Sequence, residues 1–275
     1  MSAVTTAGQS PVSQRLLSGS AAAWFTVAVA GQAVFAAYIA AFYGATLMGG
    51  DWRVWAERMI NGIVEGDRTG NIIVISHIVL AFAITVGGPL QFIPAIRNGF
   101  PRFHRLNGRI YLSVAVLISL GAFYLVWVRD HISVINGVAI SGNGVLILYF
   151  AVQTVRHAMV RRFDVHHRWA LRLFIAASGV WFFRVAFGLW AFLTGFQVPG
   201  VRPDLTGAFD IFAAFGCYLI PLAILELYFR ARRAPSSPGL ALGASAVVLA
   251  GTAATGVGAV GAVLIFMLPA FQLLS

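Results

Sequence analysis

The chain of 275 residues is 59% apolar or aromatic and only 10% charged, and its mean hydropathy is +0.84. Soluble domains are about 45–50% apolar and about 25% charged, so this composition excludes a water-soluble globule. The net charge of +10 then reports membrane topology, and no nucleic-acid partner is expected. All basic residues are arginines, and the absence of lysine excludes a retinal protein, whose Schiff base needs a lysine amine.

Residues 1–19 are polar and are predicted to form a disordered cytoplasmic tail. Seven apolar blocks follow, and each predicts one transmembrane helix because a span of about 30 Å takes about 20 helical residues. The predicted fold class is therefore all-α, a polytopic membrane helical bundle that forms a single domain over residues 20–275. The blocks lie at roughly 21–46, 72–96, 107–128, 135–155, 170–194, 208–229 and 240–268.

The arginines are distributed unequally between the two sides of this bundle. Thirteen lie on the side of the N-terminus and five on the other, with Arg184 inside a helix. By the positive-inside rule, the N-terminus is expected in the cytoplasm and the C-terminus outside, in a bacterial inner membrane. The N-terminal side carries Arg15, Arg97, Arg102, Arg105, Arg109, Arg156, Arg161, Arg162, Arg168, Arg172, Arg230, Arg232 and Arg233; the other carries Arg53, Arg58, Arg68, Arg129 and Arg202.

The seventh block is rich in Gly and Ala and contains the pair Gly239 and Gly243 at GxxxG spacing. Small residues let helix backbones approach closely in lipid, so this helix is predicted to be a packing element. It is also the expected surface for a homo-oligomer or a larger membrane complex. Membrane lipids are the other partners expected from composition.

One pattern occurs twice, 63 residues apart: His-Arg-x-x-x-Arg-x-aromatic at 104–111 and at 167–174. We call it the His-Arg repeat. Both copies lie where the chain re-enters the membrane from the predicted cytoplasmic side. Each places an imidazole beside two guanidinium groups at i,i+4 spacing, on one side of a helix.

These residue types fit a cytoplasmic-side site for an anionic or redox head group, since Arg pairs with carboxylate or phosphate and His can bind a metal or move a proton. Two alternatives stay open: arginines that contact lipid phosphates, and an ion-pair network that includes Glu226. The residues predicted to bind an anion or head group are Arg105, Arg109, Arg168, Arg172, Arg184 and Tyr111.

The stretches FHRLNGRIY (103–111) and HHRWALR (166–172), the latter followed by a helix with an internal Arg184, resemble the bacterial polytopic membrane family catalogued as domain of unknown function 2306. The resemblance spans roughly residues 70–230. It implies a multi-helix inner-membrane protein and no particular activity. The positions it carries are His104, Arg105, Gly108, Arg109, Tyr111, His167, Arg168, Arg172 and Arg184.

Two ionisable residues lie deeper in the predicted helices. His77 shares a small, polar stripe with Ala81 and Thr85, which is expected to face protein. Arg184 lies well inside the fifth block, where an arginine costs about 2.5–3.5 kcal/mol on insertion scales and needs a partner. Asp210, Asn143 or a bound anion are the expected partners.

Three functions fit these observations. The best supported is a redox-type membrane protein that binds haem b or a quinone for electron transfer, because two histidines are predicted near each side of the membrane, as in bis-His cytochromes. The ligands would be His77, His104, His131 and His167, and no metal other than haem iron is expected. The alternatives are an anion or small-solute transporter, with Arg184 and a second helix broken at 87–94, and a non-catalytic accessory subunit. Whether the protein is an enzyme is left open.

Overall fold

The computed structural model describes residues 12–51, 54, 55, 59, 62–129 and 133–272. Within these ranges all regular secondary structure is helical, which confirms the all-α fold class. We number the helices in chain order: α1 (Val12–Gly49), α2 (Arg68–Leu90), α3 (Pro94–Gly99), α4 (Pro101–Trp127), α5 (Val134–Met159), α6 (Phe163–Ala177), α7 (Gly179–Leu193), α8 (Ala208–Arg233) and α9 (Pro238–Phe271).

Six of the described helices are long and apolar enough to cross a membrane alone, and the bent pair α6 and α7 passes the same test only when taken together, as a broken span or a re-entrant loop. Only 22–39% of the most apolar window of each single span is buried inside the bundle. The remaining apolar surface is available to lipid, which is the surrounding expected for helices that are apolar on all sides. The structure thus has six to seven candidate spans, and each of the seven predicted apolar blocks overlaps one of these six helices or the bent pair.

The first helix begins earlier than its apolar block. It starts at Val12, so residues 12–19 of the predicted disordered tail are helical. The Gln14 side-chain amide donates to the backbone oxygen of Ala231 at 3.1 Å, and Leu17 is fully buried against Ala231 and the start of α9. These contacts at the end of α8 give the polar segment a folded partner, which hydropathy alone does not reveal.

The second block is interrupted within the predicted segment 87–94, because α2 ends at Leu90 and α3 begins at Pro94. Helix α2 runs without interruption to Leu90, with Pro89 in its last turn. At this helix end Asn107 of α4 donates to the backbone oxygen of Gly87 at 2.8 Å, so a neighbouring helix satisfies a carbonyl group that the helix end leaves open.

A further break, which was not predicted, lies in the fifth block between α6 and α7, which meet at an angle of 55°. Ser178 separates the two helices. Side-chain amides from two other helices hold this point: Gln32 of α1 donates to the Ser178 hydroxyl at 2.9 Å, and Asn143 of α5 donates to the backbone oxygen of Ala176 at 3.1 Å. A helix break within the membrane thus has its polar groups partnered by protein.

Helix α9 packs most extensively against α1 and α7. At its crossing with α7, a side chain on Gly188 would overlap the backbone at Gly258 and Gly261. The predicted role of this helix as a packing element is therefore confirmed, but through these glycines. Gly239 and Gly243 have open space around them, so the GxxxG pair does not pack against the part of the chain that the structure describes.

Candidate functional site

The two histidines of the His-Arg repeat lie at the same end of the bundle, which we call the basic end because it carries Arg97, Arg105 and the start of α6. His104 is close enough to His166 and Arg97 for their charges to interact, and His167 interacts with the same two residues. Helices α3, α4 and α6 each begin at this end, and so bring the four side chains together. The His positions of the repeat therefore share one electrostatic environment.

The arginines of the repeat have different surroundings. Arg105 and Arg109 of the first copy are exposed. In the second copy, Arg168 pairs with Asp164 on its own helix at 3.1 Å, and Arg172 pairs with Glu226 on α8. The four guanidinium groups thus do not share one environment.

Arg172 forms a bidentate ion pair. Its Nε and Nη2 atoms donate to the two carboxylate oxygens of Glu226 at 2.6 and 2.9 Å. Its guanidinium also lies 4.6 Å from the ring centre of Trp169 and 5.0 Å from that of Phe229. A bidentate pair flanked by two aromatic rings is a structural bridge between α6 and α8, and this is the ion-pair alternative named from the sequence.

The aromatic positions of the repeat meet on α2. Tyr111 is 7% exposed and Phe174 is 2% exposed. A Cβ atom on Gly88 would lie 3.0 Å from carbon atoms of both rings. Tyr111 is therefore placed in the packed interior, away from the arginines with which it was grouped as a head-group ligand.

Arg184 lies in α7, six residues after Ser178 at the break. Its Nη1 atom donates to the backbone oxygen of Val180 at 3.2 Å, and its guanidinium lies 5.0 Å from the ring centre of Phe35 and 5.9 Å from that of Phe266. No carboxylate among the described residues pairs with it.

Neither protein partner expected for Arg184 is used. Asp210 is fully buried and accepts from the backbone nitrogens of Gly207 and Arg202, both at 2.9 Å, which caps the start of α8. Asn143 is engaged at the helix break. Both side chains hydrogen-bond to backbone groups that have no partner within a helix. For Asp210 these are the nitrogens of Arg202 and Gly207, and for Asn143 it is the oxygen of Ala176.

Of the two histidines predicted near the outer side, His77 and His131, the structure describes His77. His77 faces Gly121 of α4, and its Nδ1 atom is buried without a hydrogen-bond partner in the described part of the chain. It lines a groove of about 530 Å³ between α2 and α4. His131 lies outside the described residues. The described residues contain no group of three His, Cys, Asp or Glu that could hold a metal ion.

A long cleft, which sequence reasoning missed, runs beside α8. We call it the α8 cleft; its volume is about 430 Å³. Along α8 it extends from Tyr228 to Phe212, roughly 24 Å at 1.5 Å per residue. Its walls are apolar, and His167 lies at the basic end. The lining residues are Ala21, Ala22, Trp24, Phe25, Phe92, His167, Leu171, Ile175, Phe182, Val185, Ala186, Leu189, Phe212, Ala213, Gly216, Cys217, Ile220, Pro221, Ile224, Leu225, Tyr228, Val248, Gly251, Ala254 and Thr255.

Small side chains create this space. Ala213 and Gly216 lie on one face of α8, and Gly251 and Ala254 lie on the facing side of α9. The sequence signal was therefore present as small residues at helical spacing, but small residues in membrane helices more often indicate close packing. The tertiary structure is needed to show that these ones line a cleft.

Comparison with known families gives one result: the sequence profile of a family described as "Predicted membrane protein (DUF2306)" matches residues 74–229. The match covers both copies of the His-Arg repeat, α7 with Arg184 and most of α8. Comparison with curated proteins and with solved structures gives no significant match.

Proposed function

Since the chain belongs to the DUF2306 family of membrane proteins, whose description assigns no activity, we propose a function from the site itself: this integral membrane protein binds an isoprenoid quinone in the α8 cleft. The observation that carries the proposal is the shape and chemistry of this cleft. It is long and apolar, and it has one imidazole at its end. An isoprenoid quinone fits this arrangement, because its long hydrocarbon tail matches the apolar walls and its head group can accept a hydrogen bond from the imidazole.

His167 is placed to act as the donor to the quinone head. It lines the cleft at the basic end, where its ring lies edge-on to Phe92 with 5.9 Å between ring centres. Pockets of 300–1,000 Å³ that are mostly apolar and have a few placed polar groups are typical of small-molecule sites. The rings of Phe25 and Phe92 also lie close together near this end, 6.4 Å apart, and offer flat apolar surface to an aromatic head group.

The same cleft favours a quinone over haem b. A bis-His haem needs two imidazoles on opposite sides of the porphyrin, and His167 is the one histidine in the described lining. His104 is near it at the basic end but is not part of the cleft wall. Of the two redox ligands predicted from the sequence, haem b and a quinone, we therefore propose the quinone.

The test is binding of decylubiquinone to the purified protein in detergent, followed by quenching of tryptophan fluorescence, since Trp24 lies in the cleft wall. We expect His167→Ala to weaken binding about tenfold, the loss expected for one hydrogen bond to the head. His157→Ala is the matched control, because His157 is not in the cleft. Equal affinity of the His167 variant and the wild type would overturn the assignment of the head.

A second variant tests the tail. A Cβ on Gly251 would lie 3.7 Å from Ile224 inside the cleft, whereas Gly243 on the same helix has nothing within 4 Å. We expect Gly251→Leu to abolish decylubiquinone binding and Gly243→Leu to leave it unchanged. Binding that survives Gly251→Leu places the ligand elsewhere, and a Soret band in the purified protein supports haem instead.

We further propose that the basic end faces the cytoplasm of a bacterium and that the membrane is the inner membrane. The support is the arginine asymmetry, which the bundle collects at one end. Fusions after Ser275 test it: alkaline phosphatase should be active there and green fluorescent protein dark. The reverse result inverts the orientation.

A further inference from the structure

The basic end of the α8 cleft contains a second polar side chain besides His167. Tyr228 lines the cleft on α8, and its hydroxyl group makes no hydrogen bond to the part of the chain that the structure describes. Among the described residues, its oxygen is not one of the buried polar atoms that lack a partner, so it is accessible from the open space of the cleft. Tyr228 therefore offers a hydrogen-bond donor to a ligand in the cleft.

The ring of Tyr228 is held in place by its neighbours. It packs against a cluster that contains Leu17 of α1 and Ala244 of α9, and its centre lies 5.9 Å from that of the Phe229 ring. Phe229 lies in turn against the guanidinium of Arg172. A tyrosine side chain has only two rotatable χ angles, so packing of the ring also fixes the position of the hydroxyl oxygen.

The ion pair between Arg172 and Glu226 sets the relative depth of Tyr228 and His167. This bidentate pair joins α6, which begins at the basic end, to α8, which ends there. His167 is five residues before Arg172, roughly 7.5 Å closer to the basic end, and Tyr228 is two residues after Glu226, roughly 3 Å closer to it. The two donors thus lie on different walls of the cleft and differ in depth by roughly 4.5 Å.

Two donors at different depths suit a ligand with two acceptors. The head group of a 1,4-quinone carries two carbonyl oxygens on opposite edges of one flat ring. A single hydrogen bond leaves such a ring free to turn about one point, whereas two hydrogen bonds from different walls fix its orientation. Both donors are also available without a charged group, whose burial in an apolar cleft is costly.

We propose that Tyr228 is the second ligand of the quinone head, so that His167 donates to one carbonyl oxygen and Tyr228 donates to the other. This inference rests on the proposed quinone function. It narrows the ligand to a 1,4-quinone, and it assigns to Tyr228 the orientation of the ring in the cleft.

The first test is infrared spectroscopy of the full-length protein in detergent, with decylubiquinone that carries ¹³C at one ring carbonyl so that the two carbonyl bands are resolved. A hydrogen bond lowers the stretching frequency of a carbonyl group. We expect both bands to lie lower in the wild-type protein than in detergent alone. Tyr228→Phe should return one band to its frequency in detergent, and His167→Ala should return the other. A wild-type spectrum in which one band alone is lowered overturns the role of Tyr228 and leaves quinone binding intact.

Binding affinity gives the second test. Tyr228→Phe keeps the ring and removes the hydroxyl group, so we expect decylubiquinone to bind about tenfold more weakly, with no change in the melting temperature of the protein without ligand. Tyr124→Phe is the matched control, because Tyr124 is also half-buried and lies on α4 outside the cleft. Wild-type affinity of Tyr228→Phe overturns this inference alone, whereas a wild-type protein that does not bind decylubiquinone overturns the quinone function as well.

Discussion

The two copies of the His-Arg repeat have nearly the same sequence and different environments. In both, the histidine lies in the first turns of a helix at the basic end, and the aromatic residue two turns later reaches Gly88 on α2. The arginines differ: Arg109 is exposed, whereas Arg172 forms a bidentate pair with Glu226. The repeated sequence pattern therefore determines where the residues lie along their helices, but it does not determine which partners their side chains contact.

The difference comes from the helix opposite each copy. Helix α6 packs against α8, which carries Glu226 at the matching depth. Helix α4 packs against α2 and α5; the last turn of α2 offers Gly87 and Gly88 there, and no carboxylate. The second copy thus forms a structural bridge beside the α8 cleft, whereas Arg105 and Arg109 of the first copy are exposed.

The largest expected effect is at the point where both copies meet. Gly88→Leu would force side-chain atoms between Tyr111 and Phe174, which already lie 3.0 Å from an added Cβ. Overpacking of this kind costs about 3 kcal/mol, so we expect a clear fall in melting temperature in detergent. Gly243→Leu, in open space on α9, is the control, and an equal effect of both variants would show that the two copies do not pack together at Gly88.

The second prediction separates the two arginines directly. Arg172→Ala leaves Glu226 without its partner and removes the contacts with Trp169 and Phe229. Loss of a buried ion pair costs 3–5 kcal/mol, but Glu226 is 38% exposed, so solvent reduces the expected loss to about 2 kcal/mol. The measurement is the melting temperature, and Glu226→Gln should produce a loss of similar size. A neutral Arg172→Ala would remove the distinction between the copies.

The architecture could be predicted from the sequence because a membrane-spanning helix needs about 20 mostly apolar residues, and this property is visible along the whole length of each block. The six to seven candidate spans, the packing role of the last helix, the interruption near Pro94 and the shared position of the two copies all follow from hydropathy, helical spacing and proline positions. The start of α1 and the break in the fifth block did not follow. Gln14 folds because the last turn of α8 offers Ala231, and the break at Ser178 is held by Gln32 and Asn143 from distant helices.

The candidate site was predictable only in part, for a related reason. Histidine and arginine are rare in apolar helices, so His104, His167 and Arg184 stood out. The α8 cleft exists partly because Gly216 and Gly251 have no side chains to fill it. In the sequence, a glycine that lines a cleft cannot be distinguished from a glycine at a tight helix crossing. Gly188 shows the second case, against the backbone of α9.

The third prediction exchanges the aromatic residues of the two copies. Phe174→Tyr places a hydroxyl group at a position that is 2% exposed, and burial of an unpaired hydroxyl costs roughly 1–2 kcal/mol. Tyr111→Phe keeps the ring and removes a hydroxyl, so we expect a smaller change. Thermal unfolding of both single variants measures this asymmetry, and a larger loss for Tyr111→Phe would contradict it.

The smallest effect on stability is expected for Arg109→Ala. Substitutions at exposed positions are usually within ±0.5 kcal/mol, so the melting temperature in neutral detergent should not change. The arginine should still matter at a membrane surface, because each basic residue near anionic lipid contributes about 1 kcal/mol. We therefore expect phosphatidylglycerol to stabilise the wild type more than Arg109→Ala, with phosphatidylcholine as the reference lipid. If Arg109→Ala is destabilised in neutral detergent as strongly as Arg172→Ala, then Arg109 has a protein partner, and the first copy is a structural bridge like the second.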